Sequence, residues 1–211
     1  MITTKTLSDG RTYTLRSNRD RFFYPKEWLQ FKEAVNPRFF FPFEFLINTG
    51  ARINEARNVK VSDFDFENKR LVLRVTKIKA KLGQKNPRPR IIPISTQFIK
   101  KVKKHIRENK LKSDSFIGIP STPAANQLLK RGVKRSGIED WQMFSIHNIR
   151  KTLENWLLAL GIDSLKVVSH VGHSMGTAAS SYISADVFSH NEKVQIREIL
   201  GDLYLDSLRR Y

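Results

Sequence analysis

The 211-residue chain carries 38 lysines and arginines against 20 acidic residues, a formal net charge of +18, with 40% hydrophobic residues and no cysteine. Fourteen Phe and three Trp supply enough apolar bulk for a packed core, which excludes a disordered basic tail. No run approaches the roughly 20 apolar residues of a membrane span, and the missing cysteines exclude disulfides, thiolate metal sites and cysteine nucleophiles. So basic a surface attracts polyanions, because neutralised phosphates release condensed counterions; nucleic acid, not a membrane, is the expected partner. Met1–Lys5 lacks the apolar region of a secretory signal, which makes the cytoplasm the expected compartment.

Residues 1–24 are polar and basic, with Asp9-Gly10 and Ser17-Asn18 as turn signals, and read as an arm or short hairpin. Pro25 opens a helix, and Phe39–Asn48 is a strongly apolar helix that stops at Thr49-Gly50. A further helix runs from near Arg52 through Glu55 to Val59. Leu71–Val75 is β-rich, with Ile91–Ile94 as its partner strand. Between them lies a basic finger that includes Lys77, Lys79, Lys81, Lys85 and Arg88. After Ser95, Phe98, Ile99, Val102 and Ile106 recur at helical spacing with lysines opposite. Ala124–Gly137, carrying Lys130 and Arg131, is a basic helix. Ser145–Leu160 is the clearest helix, with Ile146, Ile149, Leu153, Trp156, Leu157 and Leu160 on one stripe and Gly161 as its C-cap. Short helices follow over Ser164–Val171 and Thr177–Ser184, and residues 190–211 form an amphipathic tail helix. The sum is an α+β chain, mainly helical, with one small antiparallel sheet.

Three places could carry chemistry. His147 and Arg150 lie about 60° apart on their helix, flanking the apolar stripe, so both are expected to project from its edge. There Arg offers a fork that matches phosphate oxygens, and His exchanges a proton near neutral pH. Arg52 opens a helix just after a glycine turn, where backbone N–H groups also face anions, and Glu55 can brace it. His173 follows Gly172, and Tyr182 stands nine residues further on. The five histidines show no HExxH pattern and no accompanying acidic cluster, so no metal or other cofactor is expected.

Taken in order, Thr49-Gly50-Ala51-Arg52-Ile53-Asn54-Glu55, the basic hairpin with Lys77, His147-Asn148-Ile149-Arg150, Gly172-His173-Ser174 and Ser181-Tyr182-Ile183 resemble the catalytic domain of the tyrosine recombinase (phage integrase) family. The spacings of 23 residues from Arg150 to His173 and nine from His173 to Tyr182 fit that pattern. The resemblance implies a catalytic domain over 25–211, with its small sheet packed on a helical bundle. It also implies cleavage and rejoining of double-stranded DNA without metal or ATP. By resemblance Tyr182 is the nucleophile, Arg52, Arg150 and His173 stabilise the phosphate, His147 is the general base and Lys77 the general acid, with Lys79 the second choice. Lys79, Lys81, Lys85, Arg88, Lys130 and Arg131 are then expected to contact DNA. A homo-oligomer on DNA, a tetramer, and nucleoid association follow from the same resemblance. Most members carry an N-terminal DNA-clamping domain, whereas only a short segment precedes the Phe39 helix here. The rival expectations are a type IB topoisomerase, which usually has another residue where His147 stands, and a non-catalytic DNA-binding relative.

Overall fold

The computed structural model describes residues 3–6, 10, 12–15, 21–74, 89–172 and 187–205. The finger residues Lys77, Lys79, Lys81, Lys85 and Arg88, the candidates His173 and Tyr182, and the expected helix Thr177–Ser184 lie outside the described residues.

Strands β1 (Thr3–Thr6) and β2 (Thr12–Leu15) pair antiparallel, Thr3 opposite Leu15. Pro25 takes the first position of helix α1 (Pro25–Ala34), where a missing N–H costs nothing. Helix α2 (Pro37–Thr49) begins two residues earlier than its aromatic run suggests. The Asn36 side chain accepts from the Arg38 backbone N–H and Pro37 follows it, so Asn-Pro is the start signal. Pro42 removes one internal hydrogen bond, but burial of Phe40, Phe43, Phe45, Leu46 and Ile47 outweighs that loss. Gly50 ends α2 with φ +57°, and its N–H bonds the Leu46 carbonyl.

Helix α3 (Ile53–Arg57) is a short turn. The three-stranded sheet follows, β3 (Phe64–Asp65), β4 (Arg70–Leu73) and β5 (Arg90–Pro93), antiparallel in that order with Leu71 opposite Ile92 and Leu73 opposite Arg90. Helix α4 (Thr96–Glu108) is capped by Ser95, whose hydroxyl accepts from the Phe98 N–H. Helix α5 (Thr122–Arg135) starts ahead of the expected Ala124 because Pro123 suits its first turn. Helices α6 (Ile146–Ala159), α7 (Ser164–Val171) and α8 (His190–Leu200) complete the described chain.

The core lies where α2 packs on α6. Trp28, Phe31, Phe43, Trp156 and Leu157 are all within 1% of full burial, each such side chain contributing about 1.5–3 kcal/mol. Phe23 is stitched to α6 on both sides of its peptide. Its N–H donates to Thr152 Oγ1 at 2.9 Å, and its carbonyl accepts from Trp156 Nε1 at 3.0 Å. Helix α6 also touches α5, α7 and α8, which leaves it almost no exposed face. The tail closes this same core, with Ile196, Leu200 and Leu203 buried. Among the described residues no helix is long and apolar enough to cross a membrane.

Candidate active site

The site begins at the turn that ends α2. A side chain at Gly50 would put its Cβ 3.0 Å from Leu153 of α6 and from Val171 of α7, so the turn is pressed against both helices. That pressure brings Arg52, the residue just before α3, close to Arg150 on α6. The Gly50 carbonyl itself accepts from Arg150 Nη1 at 2.6 Å.

Arg52 is held from two sides. Its Nη1 donates to Glu55 Oε1 at 2.9 Å, its Nη2 to the Gly172 carbonyl at 2.9 Å, and its backbone N–H to Glu55 Oε2. Its side chain remains 42% exposed. Glu55 is buried and has a second cation. Arg90, at the start of β5, donates Nη1 and Nη2 to the two carboxylate oxygens at 3.0 and 2.8 Å. Burial pushes the Glu55 carboxyl up, but the hydrogen bonds and charge of Arg90, then those of Arg52, outweigh it and hold its pKa below the usual range.

Arg150 is different. It is 2% exposed, its Nε stands 3.5 Å from Glu154 Oε1, and Nε and Nη2 are buried without a hydrogen-bond partner among the described residues. Burial first, then the charge of Arg52, depresses its pKa from the usual arginine range to about 9. Burial likewise raises Glu154, against the pull of Arg150. The unmade donors of Arg150, beside the charge of Arg52, suit an anion with acceptor oxygens, and a phosphodiester supplies both charge and acceptors.

The structure therefore corrects one expectation. His147 and Arg150 do not both project from an open helix edge. His147, on the first turn of α6, is exposed, whereas Arg150 is in the core, because α6 is packed on nearly every side. The first turn is fixed by Asn148, whose Oδ1 accepts from the Ser145 N–H at 2.6 Å, and by Asn126, whose Oδ1 accepts from the Ile146 N–H at 2.8 Å. On α5, Lys130 is half-buried and Arg131 exposed.

Two features escaped the sequence pattern. Arg90 looked like one more basic residue at the end of the finger; its signal was strand alternation, which puts it on the same face as buried Ile92. His170 is buried, its Nδ1 2.9 Å from the Tyr204 hydroxyl, and burial with the charges of Arg90 and Arg150 lowers its pKa to about 3. It is therefore a neutral strut that ties α7 to the tail. Among the described residues no group of three metal-ligating side chains occurs.

Known proteins resemble this chain in sequence and in fold. Residues 23–187 match the phage integrase family. A protein described as "Probable integrase/recombinase" of Acholeplasma phage L2 is 29% identical over 182 residues, covering 83% of this chain and 56% of that protein. The chain thus spans little more than half the length of that curated relative. The crystal structure of XerA recombinase superposes with a TM-score of 0.63 at 18% identity, over 90% of this chain and 66% of that one. XerH site-specific recombinase bound to its difH substrate, in a pre-cleavage complex, gives 0.62 at 17% identity, over 97% and 59%. The mainly helical α+β architecture with its small antiparallel sheet is the recombinase catalytic fold. By its match over most of its length, the chain belongs to the phage integrase family.

Proposed function

We propose that the chain is the catalytic part of a site-specific DNA recombinase that breaks and rejoins strands through a 3′-phosphotyrosyl intermediate. The observation that carries this is Arg150, a buried guanidinium with two donors unmade among the described residues, beside a second, braced guanidinium, Arg52. Such a pair is preorganised for the charge that grows on the non-bridging oxygens as a phosphodiester is attacked. The family supplies the remaining roles. The Tyr182 oxygen attacks phosphorus and gives up its proton to His147; the P–O5′ bond breaks, and Lys77 protonates the departing 5′ oxygen. His173 donates a further hydrogen bond to the phosphate. The bond energy is kept in the phosphotyrosine, so rejoining needs no ATP. Lys79, Lys81, Lys85, Arg88, Lys130 and Arg131 would follow the DNA backbone, and the protein would work as a homo-oligomer, a tetramer, on nucleoid DNA in the cytoplasm.

The test is covalent capture. Wild-type protein incubated with fragmented host and phage DNA should leave protein–DNA adducts that survive denaturation, and sequencing the trapped DNA gives the site. Tyr182→Phe should abolish adducts while DNA binding stays within about 3-fold, since it removes only the nucleophile. On a nicked suicide duplex carrying that site, Lys77→Ala should slow cleavage severely and Lys85→Ala should mainly weaken binding. Adducts that persist in Tyr182→Phe would overturn the assignment.

A further inference from the structure

We propose that Arg90 is a positioning residue of the phosphate site: by taking up the charge of Glu55 it leaves Arg52 electrostatically available to an anion. The proposal rests on the recombinase assignment for its biological meaning, but its physics concerns anion binding alone. Glu55 is needed to hold Arg52, through both the Arg52 backbone and its Nη1. A buried carboxylate paired with Arg52 alone would cancel that charge and draw the guanidinium onto itself. Arg90 prevents this with a two-toothed contact that uses both Glu55 oxygens. The three groups then sum to one positive charge instead of none.

The same side chain reaches the other wall. Arg90 Nε donates to the His170 carbonyl at 3.1 Å, in the last turn of α7. A Cβ at Gly172, the residue that accepts from Arg52, would lie 2.9 Å from Arg90 Nη1, and Gly172 has φ +69°. The positive φ favours glycine there, and the Arg90 guanidinium packs directly against it. Placement comes from sheet register. Arg90, at the start of β5, pairs with Leu73 at the end of β4 and shares a face with Ile92, so it enters between Glu55 and α7 while remaining 13% exposed. Lysine could not reproduce this, since one ammonium cannot span both carboxylate oxygens and a carbonyl in that fixed fork.

A strut and a charge-balancing residue predict different double mutants. Arg90→Met leaves Glu55 with Arg52 alone; removal of the carboxylate charge as well, in Arg90→Met/Glu55→Gln, restores the net positive charge. With inorganic sulfate as the phosphate probe, read by thermal shift on the full chain, Arg90→Met should bind about 10-fold more weakly than wild type. The double variant should recover to within about 3-fold, a tenfold change being the scale of one nearby charge in a partly solvated site. Arg90→Lys should fall between. Single-turnover cleavage of the nicked duplex should follow the same order, with duplex affinity little changed. A double variant no better than Arg90→Met would make Arg90 a strut, and Arg90→Met binding sulfate like wild type would also overturn the proposal. Because the sulfate measurement needs no cleavage, a wild type that forms no DNA adduct would count against the recombinase assignment and leave the sulfate result to decide on Arg90.

Discussion

Arg150 holds a position that a structural arginine would not retain. Its Nη1 is satisfied by the Gly50 carbonyl, yet among the described residues Nε and Nη2 lie buried with no hydrogen-bond partner, and Arg52 repels it. A buried guanidinium with unmade donors costs stability, and such a cost persists where a ligand repays it. Glu55 is the counterpart, a buried carboxylate whose pKa is held down by Arg90 and Arg52. Its sign follows from linkage. A carboxyl with a folded pKa below its unfolded value of about 4.5 contributes stability above pH 4.5, and that contribution is lost as pH falls through the folded value. Urea unfolding of wild type and Glu55→Gln should therefore show a stability gap that is constant from pH 7 to 5 and closes only in more acid solution. A gap that already shrinks between pH 7 and 5 would mean that Glu55 is not held as an anion by its two arginines.

At the scale of elements, much was legible because local signals and packing agree. The stripe on α6 follows the helical period, and Gly50 and Gly161 both have the positive φ expected of residues that end helices. Arg52, Glu55 and Arg150 could be singled out as residue types, since an arginine fork suits a phosphate and a carboxylate three residues on can brace it, as Glu55 braces Arg52. The burial of Arg150 was not, because a stripe describes one face and α6 is covered by α2, α5, α7 and α8 together. Arg90 was obscured for another reason: among 38 basic residues a single arginine does not stand out, and its strand alternation with Ile92 gains meaning only once the pairing with Leu73 is known. Two glycines separate fold from site. At Gly132 on α5 a Cβ would lie 2.5 Å from Val35 and 2.6 Å from Phe31, and at Gly50 it would meet Leu153 and Val171 at a positive φ. Gly132→Ala should cost about 1–3 kcal/mol by overpacking, beyond the roughly 1 kcal/mol helix gain, and leave the cleavage rate of folded protein intact. Gly50→Ala should cost a similar amount and also slow cleavage at least about 10-fold, because it displaces the carbonyl that anchors Arg150. Denaturant midpoints and single-turnover rates measured on both variants separate the two effects; equal rates would detach the Gly50 turn from the site.

For the whole molecule, +18 is more charge than the site uses. Arg52, Arg90 and Arg150 are partly neutralised by Glu55 and Glu154. Much of the excess sits on helix faces: Lys130, Arg131, Lys134 and Arg135 on α5, and Lys100, Lys101, Lys103, Lys104 and Arg107 on α4. Some of these are locally placed, Lys103 over the Phe66 ring at 5.1 Å and Lys134 over Trp141 at 5.2 Å, but few have an acidic partner. A basic surface therefore covers α4 as well as α5. Salt should act on this molecule with two signs. Screening relieves self-repulsion, so unfolding free energy should rise with sodium chloride, whereas DNA affinity should fall as counterion release weakens. The α5 and α4 faces can then be told apart. If Lys130 and Arg131 lie on the DNA backbone, replacing both with alanine should flatten the plot of log affinity against log salt by about 2, at roughly 0.9 per phosphate contact. The same change at Lys100 and Lys103, whose neighbours Val61, Phe66 and Ile106 form an open apolar hollow, should leave that slope unchanged and raise stability in low salt. A slope that responds to the α4 pair and not to the α5 pair would turn the DNA-bound face of the protein to α4.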